Sequence, residues 1–121
     1  MLIEYMGKGF LENIISLIKT DATLFAFIPD LLKEENMRVR LGAVALVEEF
    51  RGSHEGELKA IVPELVKLLR HEMPNVRGDT AYALGILKDP GAAPALRDLL
   101  SDEVAAVRES AKDALAEIEG M

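Results

Sequence analysis

Three stretches of this chain align without a gap: LLKEENMRVR (31–40), LLRHEMPNVR (68–77) and LLSDEVAAVR (99–108). Each has the form LLxxExxxVR, and their arginines, Arg40, Arg77 and Arg108, stand 37 and 31 residues apart. Repetition at this period restricts the fold more than any other feature. One such unit cannot bury its own apolar face, so neighbouring units must cover it.

The likeness continues beyond the arginines. Counting from each arginine, positions −1, +3, +6, +7 and +10 are Val39, Ala43, Leu46, Val47 and Phe50 in the first copy. They are Val76, Thr80, Ala83, Leu84 and Leu87 in the second, and Val107, Ala111, Ala114, Leu115 and Ile118 in the third. On a helix these offsets fall within an arc of roughly 100°, which is a core-facing stripe. Each copy therefore ends in an amphipathic helix, B. The segments before the arginines form a helix A. AIVPELVKLL (60–69) aligns with GAAPALRDLL (91–100), each with a proline five residues before the double leucine. Pro94 suits a first turn, and Pro63 a bend in a longer helix. Pro29 lies two residues before its leucines, so the first A helix differs.

Punctuation fits seven helices, at about 7–19, 22–34, 37–51, 54–71, 75–88, 91–101 and 104–119. Arg51-Gly52-Ser53 offers a glycine stop and a serine cap; Asp89-Pro90 stops one helix and caps the next. Asp102 can cap the last helix, and Gly120 ends it. The short A–B turns make A and B antiparallel neighbours. The chain reads as one all-α domain over 1–121: an N-terminal helix (7–19) and hairpin repeats at about 22–51, 54–88 and 90–119. The first helix, with Phe10, Leu11, Ile14, Ile15, Leu17 and Ile18, caps one end of the stack, and polar residues of 104–119 face solvent at the other. If that cap is incomplete, the apolar N-terminal helices could form a homodimer.

The pattern LLxxExxxVRxxAxxAL, with Asp-Pro opening the next A helix, resembles the HEAT-like repeat of the phycobilin-lyase type over about 24–119. Residues 89–118 (DPGAAPALRDLLSDEVAAVRESAKDALAEI) are the nearest match, and the first repeat diverges most. The resemblance implies a right-handed α-α superhelix, a HEAT/armadillo-like solenoid, with B helices lining the concave side. It says little of function, since such units serve adaptors, lyases, a hydroxylase and DNA-repair proteins.

Composition narrows the options. Aromatics make up 5% of the chain with no Trp, so Ala, Leu, Val and Ile fill the interior, which suits close helix packing. The absence of cysteine excludes disulfides and thiolate metal sites. The net charge is 14 − 21 = −7. Seven acids crowd residues 98–121 (Asp98, Asp102, Glu103, Glu109, Asp113, Glu117, Glu119) against Arg108 and Lys112. Nucleic acid is disfavoured as a partner. The N-terminus lacks the basic region of a signal peptide, and no apolar run reaches a membrane span. A cytoplasmic, soluble protein is expected.

Candidate sites divide as follows. Arg40, Arg77 and Arg108 recur with the repeat and are expected as an internal ladder that bonds carboxylates or turn carbonyls at the A–B junctions. His54-Glu55 and His71-Glu72 invite a metal reading, because the resemblance includes a hydroxylase that binds two irons with His-Glu pairs directly after the B-helix arginine. Here Leu41-Gly42, Gly78-Asp79 and Glu109-Ser110 occupy those positions. The two histidines lie 17 residues apart on one expected helix, about 25 Å. No metal or cofactor is expected, and no serine has a paired His-Asp pattern.

The face of the B helices opposite the core stripe carries Leu41 and Ala45 in the first repeat and Gly78, Tyr82, Gly85 and Ile86 in the second. Aromatics are favoured binding anchors. Either Tyr82 and its neighbours form a protein-binding surface, or Tyr82 and Ile86 cover a neighbouring helix and Gly85 lets helices approach closely. The expectation is a non-enzymatic interaction module that binds a protein or peptide, basic by charge complementarity. The alternative is a small lyase-like or hydroxylase-like accessory enzyme.

Overall fold

Each copy of the motif folds as the end of an A segment, a tight turn and the start of a B helix. A computed structural model describes residues 11–120, and every regular element among them is helical. We label the α-helices α1 (Leu11–Thr20), α2 (Ile28–Leu32), α3 (Met37–Phe50), α4 (Glu55–Leu68), α5 (Pro74–Leu87), α6 (Ala93–Asp98) and α7 (Ala105–Glu119). A 3-10 segment, Ala22–Phe27, leads into α2; 3-10 turns at Pro90–Ala92 and Leu99–Ser101 flank α6. Residues 7–10 of the expected first helix, and the side chains of Phe10 and Leu11 assigned to its cap, lie outside the described residues.

The B helices α3, α5 and α7 match the expected spans to within a residue or so. The expected A helices 22–34 and 91–101 need correction, since each is broken into 3-10 and α pieces. Proline is the reason. Pro29 and Pro94 stand in the first turn of α2 and α6, where a missing N–H costs nothing. Neither can extend an i→i−4 ladder backwards, so the preceding residues tighten to 3-10. Pro63 instead lies inside the continuous helix α4. The carbonyl it leaves without a donor belongs to the exposed Lys59, where water can take the place.

The caps also differ in part. Asn36 caps α3, its Oδ1 accepting from the Arg38 N–H at 2.9 Å. Arg51, not Gly52, is the C-cap of α3, and His54, not Ser53, precedes α4 without a side-chain cap bond. Asp89 accepts from the Gly91 N–H, as the Asp-Pro pair suggests. Lys88 and Gly120 close α5 and α7 in the left-handed region, at φ 53° and 72°. The lysine carries a cost of roughly 1 kcal/mol there that the glycine avoids.

The hairpins α2–α3, α4–α5 and α6–α7 stack so that α5 packs between α3 and α7. Ile14 and Ile18 of α1 join the core, while Leu17 is exposed. The core stripe is buried through Val39, Leu46, Phe50, Val76, Leu84, Val107 and Leu115. The result is an all-α solenoid of three helical hairpins behind an N-terminal capping helix.

The α5–α7 interface is the most extensive among the described helices, and its spacing is set at Gly85. A Cβ there would lie 2.9 Å from the Ala114 Cα and 3.1 Å from its Cβ. That is backbone, which cannot rotate away. At Gly78 a Cβ would meet the Ser110 Oγ at 3.6 Å and the Val107 Cγ2 at 4.0 Å, ordinary contact. The two glycines should therefore answer oppositely to alanine. Gly78→Ala should raise the denaturation midpoint, gaining up to about 1 kcal/mol of helix propensity. Gly85→Ala should lower it, because overpacking of about 1–3 kcal/mol outweighs that gain. Urea titration of both variants checks the pair.

Thr80 occupies the +3 stripe position where the sister repeats have Ala43 and Ala111. It is fully buried, and its Oγ1 has no hydrogen-bond partner among the described residues. A buried hydroxyl without a partner costs about 1–3 kcal/mol. Thr80→Val keeps the shape and removes the hydroxyl. It should stabilise the protein by about 1 kcal/mol in thermal or urea unfolding.

Candidate functional site

The arginines of the motif fold back onto their own turns. Arg40 donates from Nη1 to the carbonyls of Glu34 and Glu35, both at 2.7 Å. Arg77 donates from Nη1 to the carbonyls of His71 and Glu72, at 2.9 and 3.1 Å. Arg108 donates from Nη1 to the Asp102 carbonyl at 2.6 Å. The accepting carbonyls lie six and five residues before Arg40 and Arg77, and six before Arg108, so one guanidinium closes each A–B turn. The glutamate shared by the motif (Glu35, Glu72, Glu103) leaves its side chain exposed, two residues before each B helix. There it complements the helix dipole.

Two of these arginines also reach the next repeat. Arg40 donates from Nε to Asp79 at 2.9 Å. Arg77 makes a fork with Asp102, Nε to Oδ2 at 2.8 Å and Nη2 to Oδ1 at 3.0 Å. Both guanidiniums are buried; Arg108 is exposed. The partners differ for a chemical reason. The position matching Asp102 in the second repeat is His71, whose Nδ1 already accepts from the Met73 N–H at 3.1 Å. The Asp102 Oδ1 accepts from the Val104 N–H at 2.9 Å, which is the same turn bond. A carboxylate has a second oxygen for the neighbouring arginine; an accepting imidazole does not. Arg40 therefore pairs with Asp79, eight residues further on.

This explains the His-Glu motifs. His71 is a turn residue held by a backbone N–H. His54 sits against the Phe25 and Phe50 rings, at centroid distances of 5.4 and 5.0 Å, with its Nδ1 2.8 Å from the Ser53 Oγ. Among the described residues no three His, Asp or Glu side chains are grouped to hold a metal.

The expected binding residues separate in space. Tyr82 is 53% exposed, and Leu41 is exposed as well. Gly85 is buried under Ala114, where it lets α5 and α7 approach closely, the second of the two expectations for it. Ala45, Gly78 and Ile86 are half-buried. A groove of about 620 Å³ gathers Tyr82, Gly85 and Ile86 but not Leu41, Ala45 or Gly78. Its walls come from all three B helices: Glu48 of α3 with its C-cap Arg51, the α5 residues with Lys88, and Asp113 and Glu117 of α7. Register explains the split. Leu41 lies seven residues before Glu48 on α3, about 10 Å along the axis. Gly78 faces Val107 and Ser110 beneath it. The acidic walls were within reach of sequence reasoning, since Asp113 and Tyr82 share position +5. Arg51 and Lys88 were not, because they enter only through the helix ends. A second groove of about 640 Å³ opens between α4 and the 87–90 turn, over the already buried Leu58 and Val62. It has no exposed aromatic.

Among the described residues, Asp102 is the one carboxylate clearly held below its ordinary pKa. The Arg77 hydrogen bonds lower it most. Burial works against them, and the Val104 N–H and the fields of Arg77 and Arg108 add to the lowering. A carboxylate depressed in the folded state contributes stability that is present above its unfolded value, near pH 4, and is lost as the pH falls through the folded value. Asp102→Ala leaves Arg77 buried without its partner and should cost about 3–5 kcal/mol at neutral pH. It should also flatten the acid limb of a stability-versus-pH curve. An unchanged urea midpoint would remove the pair from the supports of the fold.

The repeat geometry has counterparts in known proteins. A family model described as HEAT repeats matches residues 25–116. No curated protein matches the chain. Among solved structures, the crystal structure of an engineered protein is similar at 25% identity and a TM-score of 0.59, covering 98% of this chain and 53% of that one. The chain thus spans about half the length of that protein. No described helix is long and apolar enough to cross a membrane. With the family model matching well over half of the sequence, and three helical hairpins stacked in series, the chain belongs to the HEAT repeat family.

Proposed function

We propose that this protein is a non-enzymatic interaction module that receives a protein or peptide in the B-helix groove around Tyr82. The observation that carries this reading is the position of that ring: an exposed aromatic in a groove walled by all three B helices. Phe27, the other exposed aromatic among the described residues, lies in the 3-10 segment before α2. A tyrosine offers a rigid, amphipathic anchor at low entropic cost. The groove lining contains no histidine, serine or threonine, so it holds no hydroxyl–imidazole pair of the kind that activates a serine nucleophile. The phycobilin-lyase character of the repeat enters this reading as a kind of structural unit and brings no lyase chemistry with it. A net charge of −7 and the acids of the groove favour a basic partner.

Tyr82→Ala tests the anchor. A half-exposed ring should be removable for less than about 1 kcal/mol of stability. Quantified partner recovery by affinity purification should nevertheless fall by about tenfold or more. Equal recovery from wild type and variant at matched stability would end the assignment.

A further inference from the structure

Three acidic and two basic side chains line the groove, but they are not equivalent. Arg51 and Lys88 are the C-cap residues of α3 and α5. At a helix C-terminus a positive charge complements the dipole. The Lys88 Nζ also lies 3.8 Å from a Glu117 carboxylate oxygen. That leaves Glu48 and Asp113, neither of which is in an ion pair with another described residue. Glu48 comes from α3 and Asp113 from α7, and α5 packs between those helices. Tyr82, on α5, therefore stands between two carboxylates that no described cation answers.

We propose that the Tyr82 slot takes an arginine side chain of the partner, its guanidinium stacked on the ring and its N–H edge turned to Glu48 and Asp113. This deepens, and rests on, the reading of the groove as a peptide site. The choice of arginine follows from shape as well as charge. A guanidinium is flat, weakly hydrated and carries five N–H groups in its plane, so it can lie on an aromatic face while bonding sideways to carboxylates on both flanks. A lysine ammonium brings the same charge to one more strongly hydrated point and has no flat face to stack, so it sheds its water less readily to meet the ring and both carboxylates. Neutral and acidic side chains would leave both carboxylates without a counter-charge.

The test uses the purified full chain and four fluorescein-labelled heptapeptide mixtures. The central residue is fixed as arginine, lysine, citrulline or glutamate, and the flanking positions are randomised without acids. Binding is read by fluorescence polarisation. The arginine mixture should bind about fivefold more tightly than the lysine mixture and over about tenfold more tightly than the citrulline one. Asp113→Asn and Tyr82→Leu should each bring the arginine mixture down to about the lysine level. Asp98→Asn removes the same charge from the exposed surface of α6 and should leave the preference intact. Equal binding of the arginine and lysine mixtures, or an equal effect of Asp98→Asn and Asp113→Asn, would reduce the effect to attraction by an acidic surface and overturn the proposal. Binding that needs Tyr82 but shows no arginine preference would overturn it while leaving the peptide site standing. No binding by any mixture would overturn both.

Discussion

The fork between Arg77 and Asp102 is the interaction on which the rest depends. One guanidinium closes the turn between α4 and α5 through two carbonyls and joins it to the turn before α7 through a carboxylate. Both side chains are almost fully enclosed, so the charges meet each other rather than water. A buried pair of this kind adds little net stability over a well-packed apolar pair. Its value lies in position. The stacked stripes of Ala, Val and Leu would tolerate small slips along the helix axes, whereas the fork's geometry allows one register between repeats.

Register at the turns then decides what the B helices can do farther along. Gly85 lets α5 and α7 approach to the limit set by backbone at Ala114. That approach brings Asp113 and Glu117 into the same groove as Tyr82. The groove around the exposed ring therefore depends on the close packing at Gly85, which also forms part of its lining. The third B helix ends the progression. Where α5 turns Gly78, Ala81 and Gly85 towards α7, α7 has Glu109, Lys112 and Ala116 at the matching positions. Two of the three are charged, and Glu109 and Lys112 are exposed, as suits the flank of a stack.

The helices were legible because period and punctuation agree: the stripes at −1, +3, +6, +7 and +10 and the Asp89-Pro90 break need no tertiary information. The broken A segments were less so. A proline two residues from a double leucine marks a possible first turn, but whether the residues before it coil as α or 3-10 depends on what they pack against. The role of Gly85 could not be read from its own helix. Glycine on the side away from the stripe reads equally well as exposed or as a contact, and only the helix arriving from the next repeat separates the two. The sequence reads Asp102 as the cap of α7, whereas Val104 is the N-cap and Asp102 holds its N–H in the turn before the helix; its pairing stayed hidden, because the distance from 77 to 102 becomes meaningful only once the repeats are stacked.

By itself the sequence determined the repeat, the helix faces and the arginine-closed turns, because these rest on local spacing and on chemistry within a few residues. The tertiary structure decided which carboxylate each arginine meets in the next repeat, which glycine is covered, and that Tyr82 shares a groove with Glu48 and Asp113. Those outcomes depend on the rotation and separation of adjacent hairpins. Interhelical packing across the whole stack sets both, and no single repeat encodes them.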